Sequence, residues 1–498
     1  MGDNRMLSWL EEHSGRTYAN FIGGQWVPSV SGATAPLYES ARPSRKIGDF
    51  PVSGKEDADR AVRAAHEAFR SWRRTPASER AAVLQRFADL LERNREELAY
   101  RLSAEQGKVL AESLGEVQRA AVEARFAAGE AFRIDGQTLP SENGQIRVRV
   151  DRYPIGVIAA ISPWNFPVVT PVRKLAPALA YGCTVVLKPA SSTPWTAVRL
   201  MELLAEAGLP DGVCNLVLGP GGQVGDALVA HPLVSGVSFT GSTGLGLRIN
   251  GVAAARLAKT QLELGGKNAA LVLDCGDPAY AAGQIVSAAF ACSGQRCTAI
   301  SRVIVLRREA DALIGHIMER MKAVRVGPAW ADGVSMGPLI DRKQFESVAA
   351  YIETGKKEGA VLACGGERLK YPVDGDEGGY YLAPALFTGV KKDMTIAREE
   401  IFGPVLSVLE AEDWEEAVEL ANATDYGLAA SVFTSRLDLA EALPDLLDVG
   451  MVHINHGTAS QTHVPFGGVK RSGYGPFSIG HSNQEFFTNP KAVYTRAQ

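Results

Sequence analysis

The stretch Gly156-Val157-Ile158-Ala159-Ala160-Ile161-Ser162-Pro163-Trp164-Asn165-Phe166-Pro167 sets the fold. Five consecutive apolar residues, 157 to 161, predict a strand buried on both faces. The proline- and aromatic-rich segment behind them predicts a stiff turn at the strand's carboxyl end. The pattern then repeats. Pro171 to Tyr181 reads as a helix, Thr184 to Leu187 as a strand and Pro194 to Ala207 as a helix. Asn215 to Leu218 reads as a strand, Gln223 to Ala230 as a helix and Gly236 to Phe239 as a strand. Strands alternating with helices predict an α/β fold with a parallel sheet covered on both faces, which binds ligands at the carboxyl ends of its strands.

Upstream, residues 56 to 131 read as helices, with Thr75-Pro76 as an N-cap and first turn and Leu84, Phe87 and Leu91 at helical spacing. Ile146 to Arg152 alternates apolar and charged residues, as in a strand with one solvated face. A second α/β region begins near Ala269 and runs to about residue 470, and the stretch after Gly450 reads as long loops. A chain of 498 residues exceeds what one hydrophobic core usually supports.

A net charge of −4 and the absence of a basic run argue against a nucleic-acid partner. Met1 to Gly15 has no apolar core for a signal peptide, and Met6 breaks the myristoylation pattern that Gly2 opens. No apolar run approaches the ~18 residues that span a bilayer. Six cysteines without a Cys-x-x-Cys pair favour a reducing, cytoplasmic setting. His453, His456 and His463 lack metal-ligand spacing, so no metal is expected.

Three residues carry candidate chemistry. Cys297 follows Gly294-Gln295-Arg296, a turn that would bring its sulfur into a polar cleft, where a nearby arginine would lower the thiol pKa. A lone cysteine is otherwise a small buried hydrophobe, and packing is the better reading of Cys292. Glu263 ends Gln261-Leu262-Glu263-Leu264 before two glycines. It reads either as a solvated strand residue or as a half-buried carboxylate poised as a general base. Asn165 is either a turn residue or a rigid amide donor for an oxyanion. Lys188 ends its strand where a doubly wound sheet would hold a ribose. Gly241-Ser242-Thr243-Gly244-Leu245-Gly246 joins a strand to a helix N-terminus that suits a phosphate.

In order along the chain stand Pro163-Trp164-Asn165-Phe166-Pro167, Leu187-Lys188-Pro189, Phe239-Thr240-Gly241-Ser242-Thr243, Leu262 to Lys267, Gly294-Gln295-Arg296-Cys297, Glu399 to Pro404 and Pro465-Phe466-Gly467-Gly468. Together they resemble the aldehyde dehydrogenase superfamily over nearly the whole chain.

The resemblance implies a Rossmann-like dinucleotide domain (20–134 and 155–265), an α/β catalytic domain (266–471) and a β-hairpin oligomerisation segment (135–154 and 487–498). It implies a homodimer or homotetramer using NAD or NADP. Cys297 would be the nucleophile, Asn165 and the Cys297 N–H would hold the oxyanion, and Glu263 would activate the water that cleaves a thioester. A glutamate at that position favours hydrolysis over transfer to coenzyme A. Ser162, Trp164, Lys188, Ser191, Gly225, Gly241, Ser242, Leu264, Glu400 and Phe402 would hold the cofactor. Phe166, Arg173, Arg296, Ser460 and Phe466 would bind substrate.

Two departures carry information. Ser191 stands where many NAD-specific members have a ribose-chelating glutamate. A serine would not repel a 2′-phosphate, so NADP is expected to be accepted. Arg173 replaces a bulky aromatic. With Ser460 it resembles enzymes for succinate or 2-oxoglutarate semialdehyde, although the second arginine that the succinate-semialdehyde enzymes tend to have just upstream of the nucleophile is Ala291 here. The alternative for Arg173 is a helix-surface or intersubunit ion pair. The alternative substrate is an aromatic or medium-chain aliphatic aldehyde held by Phe166, Phe466 and the loop from His456 to His463. A cofactor-binding relative without turnover is a further alternative, and the same thiol would support a side esterase activity.

Overall fold

In the computed structural model, which describes residues 4–371 and 378–496, the run Val157–Ile161 is a central strand of an eight-stranded sheet. Five parallel strands lie side by side: Lys259–Glu263, Val234–Thr240, Val157–Ile161, Thr184–Lys188 and Cys214–Leu216. Antiparallel strands extend both edges, Gly473–Tyr474 at one and Asn20–Ile22 with Gln25–Val27 at the other.

The uninterrupted apolar run has a simple cause. Ile158 and Ala160 pack with Leu84, Phe87 and Leu175 on one face, while Val157, Ala159 and Ile161 pack with Val62 and Leu228 on the other. Each large aliphatic side chain buried this way contributes about 1.5–3 kcal/mol relative to exposure. An alternating pattern would have left one face wet.

Most sequence-based elements hold to within a few residues. The helices are Lys55–Trp72, Ala77–Arg93, Arg95–Gln106, Leu110–Glu130, Val169–Ala180 and Trp195–Glu206. Pro76, rather than Thr75, is the N-cap of Ala77–Arg93. The helix expected from Gln223 to Ala230 divides into a π-turn, Gly221–Gly225, and a short α-helix, Asp226–Ala230.

A second sheet has seven strands in the order Val361–Cys364, Ala385–Thr388, Val405–Ala411, Ile300–Leu306, Asn268–Val272, Ala429–Phe433 and Met451–Ile454. All pair in parallel except the first. Ile146–Pro154 pairs antiparallel with Thr488–Arg496 over nine residue pairs, with Gln137–Leu139 on its other side. The positions Met1 to Asp3, where the myristoylation pattern begins, and the last two residues of the segment 487–498 lie outside the described residues.

The region after Gly450 departs from the expectation of loops. It contains Met451–Ile454, Val469–Lys470, Gly473–Tyr474, the helix Asn483–Phe487 and the strand Thr488–Arg496. Several of these strands are too short to show a period, and distant partners define them. Among the described residues no helix is long and apolar enough to cross a membrane. All six cysteines are free.

Candidate active site

A cavity of about 740 Å³ lies where the two large sheets face each other. It is lined by every residue singled out from the sequence for catalysis, cofactor or substrate, except Ser191. Ser191 is exposed, and its hydroxyl donates to the Gly219 carbonyl at 2.9 Å.

Cys297 reaches the cavity through an unusual backbone. The helix Pro278–Phe290 runs into a tight turn, Ala291–Gly294, in which Cys292 (φ 54°), Ser293 (φ 57°) and Gly294 (φ 69°) are left-handed. For a non-glycine residue this costs about 1–2 kcal/mol, so surrounding bonds must hold it. The Ser293 hydroxyl donates to Gly337 O (2.8 Å), the Cys292 N–H to Glu112 Oε1 (2.8 Å) and the Ile340 N–H to Gln295 Oε1 (3.0 Å). At Gly294 a Cβ would lie 2.3 Å from the Gly403 carbonyl oxygen, so only glycine fits. The turn separates the two thiols. Cys292 is buried between the Gln106 amide and the Asn165 carbonyl, while Cys297 stays half-buried.

The expectation of a lowered thiol pKa is corrected. Burial, then Glu263 and Glu400, push the Cys297 thiol up to about 12, and Arg296 and Arg173 offset only part of this. Desolvation of the thiolate outweighs two partly shielded guanidiniums.

Asn165 is buried, and its amide donates to Gln295 O at 2.9 Å. The Cys297 N–H has no acceptor among the described residues. Lys108 and Glu116, two buried charges, hold the Asn165 loop. The Lys108 ammonium donates to Glu116 Oε2 (2.6 Å) and Asn165 O (2.8 Å), and lies 3.9 Å from the Phe166 ring centre. Glu116 Oε1 accepts the N–H groups of Val168 and Val169. The turn is therefore fixed by a satisfied ion pair as well as by its prolines.

Glu263 is the last residue of its strand, buried, with Oε2 lacking a partner among the described residues. Burial raises its pKa well above the ordinary carboxylate range, against the pull of Lys174 and Arg173. Lys174 is likewise buried, donating to Ser238 Oγ (3.1 Å) and Thr240 Oγ1 (2.8 Å), and burial lowers its pKa. The reading of Glu263 as a solvated strand residue is thus excluded.

At the other end of the cavity the donors and acceptors fit the dinucleotide implied by the sequence. Lys188 is buried, its ammonium bonded to Pro189 O at 2.7 Å, and burial lowers its pKa to about 8. Glu400 accepts the Gly266 N–H (3.0 Å), and burial lifts its pKa to about 7. A Cβ at Gly265 would meet Glu400 Oε2 at 2.2 Å, so glycine leaves that carboxylate room. Ser242 is the N-cap of the helix Thr243–Ala254 with no side-chain cap bond, which leaves backbone N–H groups open to a phosphate. Ser162 Oγ is buried without a partner among the described residues. Phe402, itself left-handed (φ 56°), packs edge-on to Trp164 at 5.3 Å and walls this end.

At the substrate end Arg173 is largely buried rather than a helix-surface residue, and it is paired within the chain. Its Nε and Nη2 donate to Glu123 at 3.1 and 2.8 Å, and its guanidinium lies 5.0 Å from the Phe466 ring centre. Arg296 bonds Thr298 Oγ1 and Thr458 O, both at 3.3 Å. Ser460 is held by Arg119, whose Nη1 donates to Ser460 O at 2.7 Å. From the loop spanning His456 to His463, Ser460 alone reaches the cavity lining among the described residues. His453 instead bonds Ala459 O (2.7 Å) and packs edge-on to His456. No group of described residues has the makings of a metal site.

Sequence reading missed Lys108, Glu112, Glu116, Arg119 and Lys174. Four of these had a visible signal. Glu112, Glu116, Arg119 and Glu123 recur every three or four residues, a polar stripe on one face of Leu110–Glu130. Lys174, next to Arg173, interrupts the apolar run of Val172, Leu175 and Ala176.

The aldehyde dehydrogenase family model matches residues 26–493. The chain is 42% identical over 484 residues to the alpha-ketoglutaric semialdehyde dehydrogenase of Bacillus subtilis (strain 168), covering 96% of this chain and 98% of the relative. A solved NAD-dependent aldehyde dehydrogenase from Sinorhizobium meliloti superposes with TM-score 0.94 at 36% identity, over 98% of this chain and 96% of that one. An NADP-dependent enzyme from E. coli gives TM-score 0.93 at 34% identity, over 97% and 98%.

Proposed function

The chain belongs to the aldehyde dehydrogenase family, and from that premise we propose that it oxidises a semialdehyde carrying a distal carboxylate to the corresponding acid. One observation carries the reading. Cys297, Glu263 and Asn165 share a single cavity whose substrate end holds Arg173 and Ser460. The relative acting on alpha-ketoglutaric semialdehyde supports the same substrate class, of the succinate or 2-oxoglutarate semialdehyde type.

Cys297 Sγ attacks the carbonyl carbon. The oxygen that becomes anionic is stabilised by the Asn165 amide and the Cys297 N–H, dipoles already oriented before the reaction. A thiol pushed up by burial gives little thiolate at neutral pH, so its proton needs an acceptor, and Glu263 is the carboxylate beside it. Lys188 and Glu400 would hold ribose hydroxyls and Ser242 the pyrophosphate of NAD or NADP, which when bound supplies the hydride acceptor. Once it has released the thiol proton to solvent, Glu263 takes a proton from the water that displaces the acid from sulfur. Its raised pKa makes it a stronger base than an exposed carboxylate.

The division into 20–134 with 155–265 for the dinucleotide and 266–471 for catalysis follows the two sheets. The edge strand Thr488–Arg496, with Tyr494 exposed, supports pairing of 135–154 and 487–498 between copies in a homodimer or homotetramer. Six free cysteines are consistent with a cytoplasmic setting.

The test is absorbance at 340 nm with acidic semialdehydes and neutral aldehydes of matched length, with NAD and with NADP. Arg173→Gln is expected to raise KM for the acidic substrates by about tenfold or more and to spare the neutral ones. Equal effects on both would overturn the carboxylate reading, and cofactor binding without turnover of any aldehyde would favour the non-catalytic alternative.

A further inference from the structure

Arg173 carries a feature that its assignment to the substrate carboxylate leaves unexplained. Its bidentate contact with the buried carboxylate of Glu123 uses Nε and Nη2. A guanidinium so paired has much of its charge answered before any substrate arrives. Glu123 is shared, however. Arg119 Nε donates to Glu123 Oε1 at 2.9 Å, so two guanidiniums face one carboxylate and a unit of positive charge is left over.

Other acids on the same helix do not cancel it. Glu116 is engaged by Lys108 and two backbone N–H groups, and Glu112 accepts the Cys292 N–H and has Lys108 and Arg296 as the cations acting on it. Arg119 lines the cavity, and its side chain is 27% exposed against 13% for Arg173. Its remaining donors point at Ser460, Nη1 to the backbone oxygen at 2.7 Å and Nη2 toward the hydroxyl at 3.5 Å. That long hydroxyl contact is weak, so Nη2 and the Ser460 hydroxyl can exchange it for an anionic oxygen. A carboxylate or the oxo acid end of a semialdehyde offers such oxygens, and charged acceptors bind a guanidinium more strongly than a neutral hydroxyl does.

We propose that Arg119 is a second specificity-determining cation, which with Arg173 and Ser460 binds the far carboxylate of the substrate while Glu123 orients both guanidiniums. The inference rests on the carboxylate reading above. It places a second arginine for the far carboxylate on the helix Leu110–Glu130, while Ala291 stands upstream of the nucleophile.

Arg119→Gln and Arg173→Gln, each assayed with an acidic semialdehyde and the neutral aldehyde of equal length, separate the two readings. Arg119→Gln should raise KM for the acidic substrate about ten- to hundredfold, leave kcat within about threefold and leave kcat/KM for the neutral aldehyde within about threefold. A merely structural Arg119 would alter both substrates alike, and that outcome, or no change in either, overturns the proposal. Selectivity lost in Arg173→Gln but kept in Arg119→Gln sinks Arg119 alone, whereas selectivity kept in both sinks the carboxylate reading as well. Should Arg119→Gln fail to fold, Arg119→Lys keeps the stem and charge but not the fork. Competitive inhibition by succinate against the neutral aldehyde should then weaken several-fold, and an unchanged inhibition constant overturns the proposal.

Discussion

The two large sheets bring their residues to the cavity from opposite strand ends. In the eight-stranded sheet, Asn165 follows Val157–Ile161, Lys188 ends Thr184–Lys188, Ser242 follows Val234–Thr240 and Glu263 ends Lys259–Glu263. All stand at carboxyl ends, as expected for an open parallel sheet. In the seven-stranded sheet, Cys297 precedes Ile300–Leu306, and Glu400 and Phe402 precede Val405–Ala411. These stand at amino ends, where the general rule places no ligand. One sheet acts as a binding surface in the usual sense. The other presents its strand entrances, and its contribution depends on loop conformation.

Removing the sulfur at the second sheet should have the largest effect. Cys297→Ala is expected to lower kcat on the order of 10⁴-fold or more and to leave dinucleotide affinity, measured by fluorescence titration, unchanged. Lost affinity would mean that the sulfur also helps to seat the dinucleotide. Glu263→Gln, on the first sheet, should cut steady-state turnover by roughly 10²–10⁴-fold. Because Glu263 takes both the thiol and the water proton, the first-turnover burst at 340 nm should be lost as well, and a surviving burst would assign the thiol proton to another base. Asn165→Ala should cost roughly 10²–10³-fold in kcat with little change in KM.

The pH dependence follows from burial. With the thiol pushed up to about 12, thiolate in the free enzyme grows as pH rises, so iodoacetamide alkylation of Cys297 should speed up about tenfold per pH unit through the alkaline range. A plateau near pH 7 would refute that burial effect. The smallest effect belongs to the rim of the first sheet. Ser191→Glu is expected to lower kcat/KM for NADP by roughly five- to thirtyfold through repulsion of the 2′-phosphate, and to spare NAD.

The first sheet was legible where a strand is a continuous apolar run and a ligand-facing residue sits where the run stops. Val157 to Ile161 and Lys188 are examples. The second sheet's site was legible only through the order of its motifs, since nothing in the period of Ser293-Gly294-Gln295 announces a left-handed turn. The helix Leu110–Glu130 was read as a helix without a functional face. An Arg119–Glu123 pair at i, i+4 has the spacing of an ordinary solvated ion pair, and only the packed neighbours reveal that it points inward. The short strands after Gly450 failed for a related reason, since Gly473–Tyr474 is a strand only because Leu262 and Glu263 lie beside it.

The contact of Gly294 with the Gly403 carbonyl oxygen ties two loops into one mechanical part. One loop carries the reacting sulfur, and the other carries Glu400 and Phe402. A side chain added at that joint would push the two loops apart, and with them the seat of the dinucleotide and the aim of the sulfur. A substitution at this joint would therefore disturb both tasks at once, whereas one at the exposed Ser191 leaves the sulfur's loop untouched.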